Sequence, residues 1–254
     1  MENFAQTILT ARVPQGSLGV FFLGQAGFAF KTASGELIAV DPYLSDCCER
    51  YFGFKRLMPH LLDAREVVFD TLILTHAHYD HFDPDSVPLL MGDGKTQLVC
   101  ARDVREEAER LHLDGSKITY LGRGEQFENG SICIRALACD HGELAPDALG
   151  LLVTFGGKTI YITGDTAYRE DIFSDPAVHG VDLLILPING AFGNLNEAQA
   201  AAAAGMVRPA LTVPCHYWNF AEHGGDPGKF QKKMAEIAPD CTYCLMRQGE
   251  GMLL

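Results

Sequence analysis

Three histidines and an aspartate fall within the six residues His76-Ala77-His78-Tyr79-Asp80-His81, directly after the run Thr71-Leu72-Ile73-Leu74-Thr75. Packing offers no reason for that density. Placed two apart at a strand end, His76 and His78 send both imidazoles to one side, whereas Asp80 and His81 can face a second point nearby from the turn that leads into a helix. Neutral imidazole and carboxylate are ligands for borderline divalent cations. Four more candidates close other apolar runs: Asp41 after Leu37-Ile-Ala-Val40, His141 after Cys139-Asp140, Asp165 after Thr163-Gly164, and His216 after Pro214-Cys215. Alone, each reads as a turn former or a hydrogen-bonded histidine. Together, at strand ends, they gather at one edge of the structure, where loops build sites.

The elements that must position them are short. Strand-like runs lie at 20–22, 27–31, 36–40, 71–74, 97–100, 117–120, 131–138, 150–155, 158–163, 181–187 and 211–214. Helical stretches are expected near 85–91 and 104–111, at 197–206 behind Asn196 as N-cap, and at 228–237 opened by Pro227. Many strands with a few helices between them, in two such halves, point to two packed sheets with helices outside.

The chain has 254 residues, 47% of them hydrophobic, with no linker or repeat dividing it, so one domain over 1–254 is expected. No apolar run approaches the ~18–20 residues of a membrane span, and the first 20 residues lack a basic stretch followed by an apolar one. A cytoplasmic protein is expected, with a small-molecule substrate, no membrane partner, and homo-oligomerisation left open. With 33 Asp+Glu against 20 Lys+Arg, the net charge is −13, and the only dense basic pairs are Lys55-Arg56 and Lys232-Lys233, so no nucleic-acid partner is expected either. The eight cysteines are scattered and mostly lie in apolar runs, where Cys serves as a small hydrophobe. Cys241-Thr-Tyr-Cys244 has C-x-x-C spacing but lacks a second pair or a following helix start, and is read as structural.

The ordered set of Asp41, His76-x-His78-x-Asp80-His81, His141, Asp165 in Gly164-Asp165-Thr166, and His216 resembles the motifs of the metallo-β-lactamase-fold hydrolase superfamily over nearly the whole chain. Within it, the closer likeness is to the L-ascorbate-6-phosphate lactonase branch. That likeness is carried by Gly24-Gln25-Ala26-Gly27, Asp41-Pro42-Tyr43, Arg56-Leu57-Met58-Pro59, Pro214-Cys215-His216-Tyr217-Trp218 and Asp226-Pro227, although this chain is shorter than the lactonase.

The resemblance implies an α/β (α+β) fold, a four-layer αββα sandwich with the site at one edge. It also implies one metal on His76, His78 and His141 and a second on Asp80, His81 and His216, with Asp165 bridging. Each cluster leaves an open position, as catalytic sites do. The ions would be one or two of zinc or manganese, with iron also compatible with the all-N/O ligand set. The implied reaction is attack by a metal-bound hydroxide on a small anionic ester, above all a sugar-phosphate lactone. Asp80 and Asp165 act there as catalytic ligands, while Asp41, outside both triads, orients His76 or His78.

Substrate contacts are expected from Arg56, suited to bidentate capture of an anion, and from Tyr217, Trp218 and Asn189. His60 and His223 are read as loop residues. A phosphodiesterase or other esterase of the same fold is the alternative, and a non-catalytic metal-binding scaffold a more remote one, since degenerate members lose ligands and this chain keeps all seven. An RNA-cleaving member would carry an extra domain between Asp165 and His216, where only about 50 residues lie, and a flavodiiron protein would carry a glutamate in place of His78.

Overall fold

The structure is a computed structural model, of which residues 3–254 are described. Among the described residues, thirteen strands form two sheets. The first holds β1 (Gly19–Gly24), β2 (Gly27–Lys31), β3 (Leu37–Val40), β4 (Thr71–Leu74), β5 (Gln97–Ala101), β6 (Ile118–Leu121) and β13 (Gly251–Leu253), in the order β13-β1-β2-β3-β4-β5-β6. The second holds β7 (Gln126–Asn129), β8 (Ile132–Leu137), β9 (Gly150–Phe155), β10 (Lys158–Ile162), β11 (Leu183–Pro187) and β12 (Leu211–Cys215), in the order β12-β11-β10-β9-β8-β7. Each sheet begins as an antiparallel meander and ends as parallel strands: β3 to β6 in the first, β10 to β12 in the second.

Strand alternation sorts the core into layers. Val20, Phe22, Phe28, Phe30, Ile38, Val40, Ile73 and Val99 face the second sheet and meet Ile134, Val153, Phe155, Ile160 and Ile162. Their alternate neighbours Phe21, Leu23, Ala29, Ala39, Leu72, Leu74 and Leu98 turn to the opposite face, as a period of two requires. There they are covered by α1 (Phe4–Thr10), α3 (Val87–Leu90) and α4 (Val104–Arg110) through Phe4, Ile8, Val87, Leu90 and Val104. The outer face of the second sheet is covered by α6 (Glu197–Val207) and α7 (Pro227–Ile237), which contribute Ala200, Ala204, Phe230 and Met234. The order is helix, sheet, sheet, helix, the four-layer αββα sandwich. At about 1.5–3 kcal/mol for each buried large apolar side chain, this core holds the fold without help from its edge.

Helix starts follow their capping chemistry. Asn196 accepts from the backbone N–H of Ala198 and Gln199, and Gln199 returns a side-chain acceptor to Asn196 N, a complete capping box. Asp226 accepts from Gly228 and Lys229, with Pro227 at the first helical position. Five elements escape the sequence pattern: α1, α2 (Cys47–Phe52), α5 (Glu170–Phe173), β7 and β13. Strand β7 is mostly exposed and carries no apolar alternation, and β13 has three residues held only by pairing with β1. Tertiary pairing rather than local preference fixes such pieces. All eight cysteines are free, and Cys241 and Cys244 pack against the inter-sheet core. Among the described residues, no helix is long and apolar enough to cross a membrane.

Candidate metal centre

Every sequence-assigned ligand leaves the carboxyl end of a strand at one edge of the sandwich. β1, β3 and β4 share a direction, and so do β8, β10, β11 and β12. Their exits carry Gln25, Asp41, His76, His141, Asp165, Asn189 and His216, the place where parallel α/β sheets collect ligands. Hydrogen bonds stitch these exits together: His216 N donates to Gln25 O (2.7 Å), Ala167 N to Asp140 O (2.7 Å), and Leu149 N to Thr75 O (3.1 Å). Several exits are strained. Gln25, Asp41 and His216 hold φ of 54°, 45° and 63°, in the left-handed region that non-glycine residues rarely enter. Gly164, at φ 63°, is required by space as well: a Cβ there would lie 2.7 Å from Leu149 O.

Two groups of ligand atoms converge, His76/His78/His141 and Asp80/His81/Asp165/His216, each with its atoms within 4.8 Å of one another. In the first, His78 Nδ1 lies 3.1 Å from His76 Nε2 and 3.2 Å from His141 Nε2. A tetrahedral ion with bonds of about 2.0–2.1 Å to nitrogen needs its ligands about 3.3 Å apart. The tautomers agree with that use. Thr75 Oγ1 donates to Asp41 Oδ2 (2.6 Å) and so receives the Nδ1 proton of His76 (3.1 Å), while His78 Nε2 donates to Leu144 O (3.2 Å). The remaining nitrogens, His76 Nε2 and His78 Nδ1, therefore point lone pairs at one spot, an arrangement that only a cation or a proton relieves.

In the second group, His216 Nε2 lies 3.2 Å from both Asp80 Oδ2 and Asp165 Oδ2, and His81 Nε2 lies 3.4 Å from Asp165 Oδ1. Asp165 also stands 3.9 Å from His141 Nε2, so one carboxylate reaches both groups, as a bridging ligand would. His81 Nδ1 donates to Asp41 Oδ2 (2.8 Å), and its buried Nε2 has no hydrogen-bond partner among the described residues. Asp41 thus orients His81 directly and His76 only through the Thr75 hydroxyl. That corrects the expectation that it bonds His76 or His78: Oδ2 is the atom shared by His81 and Thr75, and Oδ1 is taken by Thr75 N (2.8 Å).

Charges in the second group stand in for a cation. Burial opposes a proton on His81 and His216, yet Asp165 and Asp80 outweigh it, raising His81 well above its usual value and His216 to about 9. Burial would likewise raise Asp80 and Asp165, but the facing His81 and His216 pull both well below the usual carboxylate range. His76 moves the other way, pushed well down by burial and by His81 beside it. The donor set and the free lone pairs fit divalent ions at both groups.

A cavity of about 550 Å³ opens over these ligands, floored by His78, Asp80, His141, Asp165 and His216 and walled by Cys48, Phe52, Phe54, Leu144, Phe192 and Phe220. Among the described residues, no Lys or Arg lines it. The expected substrate residues are placed elsewhere. Arg56 is buried beneath the loops, where it donates to Tyr43 O (3.0 Å) and Ser45 O (2.8 Å) and covers the Tyr43 ring at 4.1 Å. Its fork is spent on carbonyls, so it pins the loop and does not face a substrate anion. Tyr217 donates to Met246 O and packs on Phe22, and Trp218 lines a separate hollow with Met58 and Arg247. Asn189 Nδ2 turns back to Ala191 O (3.4 Å) and lines no part of the cavity. All three are corrected as cavity residues: the positive-φ turn through His216 and Trp218 carries Tyr217 and Trp218 away from the ligand groups, and Asn189 folds back onto its own loop. His60 bonds Leu44 O and Asp46, as a loop residue.

The cavity instead receives two residues outside the expected substrate set, Asn194 and His223, with Gln25 buried behind them against Asp80. Asn194 is buried, faces the cavity and has no partner for either side-chain atom among the described residues. His223, read from sequence as a loop residue, lines the cavity and stacks on His216 at 4.8 Å. Burial and the neighbouring His216 lower it to about 4. Gln25 Nε2 lies 2.8 Å from Asp80 Oδ2 and 3.2 Å from His223 Nδ1. Its strand-end position was the available signal, since it closes β1 as Asp41 closes β3.

Comparison with known proteins agrees with this geometry. The chain is 26% identical over 248 residues to a protein described as a UPF0173 metal-dependent hydrolase from Rubrobacter xylanophilus, covering 93% of this chain and 97% of that one. The solved structure of Igni18, a metallo hydrolase from Ignicoccus hospitalis, superposes with a TM-score of 0.73 at 22% identity, covering 94% and 98% of the two chains. The metallo-beta-lactamase fold protein YhfI from Bacillus subtilis gives 0.71 at 18% identity, covering 94% and 99%. The family model described as Beta-lactamase superfamily domain matches residues 38–217, a span that takes in Asp41 and all seven candidate ligands, and the chain belongs to that superfamily.

Proposed function

We propose that this protein is a metal-dependent hydrolase that cleaves a small ester-type substrate, a lactone being the leading candidate, whose non-reacting part is apolar. The observation that carries the reading is the cavity itself, with two ligand groups at its floor, aromatic walls and no cationic side chain. Divalent ions, when bound, supply an activated water near neutral pH and a Lewis acid for the substrate oxygen. The chain's own residues do the rest. Asp41 and Thr75 hold the His81 and His76 tautomers, the Phe52–Phe54–Phe192–Phe220 wall excludes bulk water and aligns the substrate, and Asn194 offers a neutral amide to a polar group. Relatives described as metal-dependent hydrolases support the reaction class.

The anionic sugar-phosphate lactone inferred from family likeness is set aside, because Arg56 faces away and nothing in the walls pairs with a phosphate. A phosphodiesterase would likewise find no cationic side chain in the walls to hold the rest of its substrate. The test is turnover by protein loaded with Mn²⁺ or Zn²⁺, on acyl-chain lactones, aryl esters, phosphorylated lactones and phosphodiesters. Preference for the neutral, apolar members is expected. Turnover of none would overturn the hydrolase reading, and preference for the phosphorylated ones would overturn the apolar assignment.

A further inference from the structure

Gln25 and His223 lie outside the segment matched by the family model, residues 38–217, yet both reach the second ligand group. Gln25 is 1% exposed and held at φ 54° beyond the end of β1. Its amide nitrogen touches Asp80 Oδ2 (2.8 Å) and His223 Nδ1 (3.2 Å) and sits 3.1–3.2 Å from the ring nitrogens of His216. The Asp80 contact decides which way the amide faces. Turned over, Gln25 would set its carbonyl oxygen against a carboxylate oxygen at 2.8 Å, acceptor against acceptor, so the NH₂ group faces Asp80. One of its hydrogens then goes to the carboxylate, and the other is available to His223 Nδ1.

That donation fixes the second imidazole. A His223 Nδ1 that accepts from Gln25 carries no proton, so the proton of the neutral ring is on Nε2. The ring has little freedom to turn. It stacks on His216 with an interplanar angle of 14° and is boxed edge-on by Phe54 at 5.8 Å and Phe220 at 5.0 Å, with Phe192 at 5.2 Å. Nε2 has no hydrogen-bond partner among the described residues, on a ring that lines the cavity beside Asp80 and His216.

We infer that His223 is a further catalytic residue, whose Nε2–H donates a hydrogen bond to the substrate oxygen that gains negative charge, and that Gln25 is the positioning residue that sets this tautomer. The inference rests on the reading of the cavity as a hydrolytic site. No proton is transferred in this step; the donor stabilises charge where it develops, from a ring already held in place by His216, Phe54 and Phe220, so that no reorganisation is needed. Asp80 and His223 are coupled through one amide group, so the ligand and the donor keep a constant spacing.

The experiment has two arms on the full-length, zinc-loaded protein. In the first, ¹⁵N–¹H correlation spectra of ¹⁵N-histidine protein report which nitrogen of each ring is protonated, with His223 identified by its loss in His223→Phe. The expected result is an unprotonated Nδ1 and a protonated Nε2, with this preference lost in Gln25→Leu while bound zinc stays at the wild-type level. A protonated Nδ1 in wild type would overturn the inference, as would an unchanged tautomer in Gln25→Leu. The second arm measures kcat and KM on the best substrate of the screen. His223→Phe should lower kcat about 100-fold, with KM and zinc content little changed and His223→Gln recovering most of the loss by restoring an N–H. A His223→Phe variant with wild-type kcat, or one that loses zinc, would overturn the catalytic role. If wild type turns over nothing, the hydrolase reading fails in its own right, and the tautomer spectra still decide the Gln25–His223 pairing.

Discussion

Asp41 is the carboxylate on which the geometry places the most demand. It is 1% exposed and accepts three hydrogen bonds, from Thr75 N (2.8 Å), Thr75 Oγ1 (2.6 Å) and His81 Nδ1 (2.8 Å). Asp41→Ala strands all three donors and loses the partner of a buried imidazole, which costs about 3–5 kcal/mol of stability when one half of a buried pair is removed. It also places alanine at φ 45°, about 1–2 kcal/mol worse than a residue that tolerates the left-handed region. The orienting bond to His81 disappears, so affinity at the second ligand group should fall about 10- to 100-fold, or about 1.4–2.7 kcal/mol. Asp41→Asn separates the two effects. Asparagine accepts this φ, and its oxygen can keep the His81 and Thr75 hydroxyl bonds while its NH₂ faces Thr75 N–H, a cost of about 1–3 kcal/mol in stability with the His81 tautomer retained. Urea denaturation of the metal-free variants and Mn²⁺ titration by calorimetry read the two quantities. Equal metal affinity in wild type and Asp41→Ala would refute the claim that Asp41 orients His81.

Four other expectations are open to direct measurement. Arg56→Met should lower the thermal midpoint, through the loss of three hydrogen bonds to carbonyls and one stacking contact, while changing kcat/KM equally for anionic and neutral substrates; a selective loss on anionic ones would return Arg56 to the substrate. Gly164→Ala, forced against Leu149 O at 2.7 Å, should displace Asp165 and reduce metal content in a folded protein, as checked by circular dichroism and metal analysis. Asn194→Leu should raise KM for substrates with a polar group near the ester and leave metal content unchanged. In the metal-free protein, the raised pKa values of His81 and His216 make a stabilising contribution that is full below about pH 6.5 and is lost as pH rises through about 9 for His216. The lowered values of Asp80 and Asp165 contribute above about pH 3.8 and are lost only in stronger acid. His76, His141 and His223, whose values burial lowers (His223 to about 4), must lose their protons on folding, so stability also rises from about pH 4 to 6.5. Urea midpoints across pH 3–10 should therefore peak near pH 6.5 and decline on both sides, and midpoints that climb steadily from pH 6.5 to 9 would contradict the assignment.

The convergence of the candidate ligands was legible because metal chemistry restricts residue type and the sheet restricts position. His76, His78, Asp80, His81, His141, Asp165 and His216 each follow an apolar strand, and strand ends can be read locally. The alternation of Val20, Phe22, Phe28 and Phe30 against Phe21 and Ala29 likewise carries the layer order. What escaped depends on side-chain direction after a turn. Tyr217 and Trp218 adjoin a ligand in sequence, but positive φ at His216 and Trp218 swings them to the far side. Arg56 has the chemistry of an anion clamp, and only the fold shows that the Tyr43 and Ser45 carbonyls consume it. His223 reaches the site from seven residues beyond His216 through a loop whose Gly224 and Gly225 pack against Asn189 O and Tyr217, a closure that no local pattern encodes.

The central claim is that two groups of side chains at one sheet edge form a single metal centre with Asp165 between them. Anomalous diffraction from crystals of the Mn²⁺-loaded protein measures it most directly. Two peaks are expected at the cavity floor, one among His76 Nε2, His78 Nδ1 and His141 Nε2, the other among Asp80, His81 Nε2 and His216 Nε2, with Asp165 within reach of both. Manganese bound at saturation elsewhere on the protein, with both groups empty and their histidines turned away from one another, would contradict it.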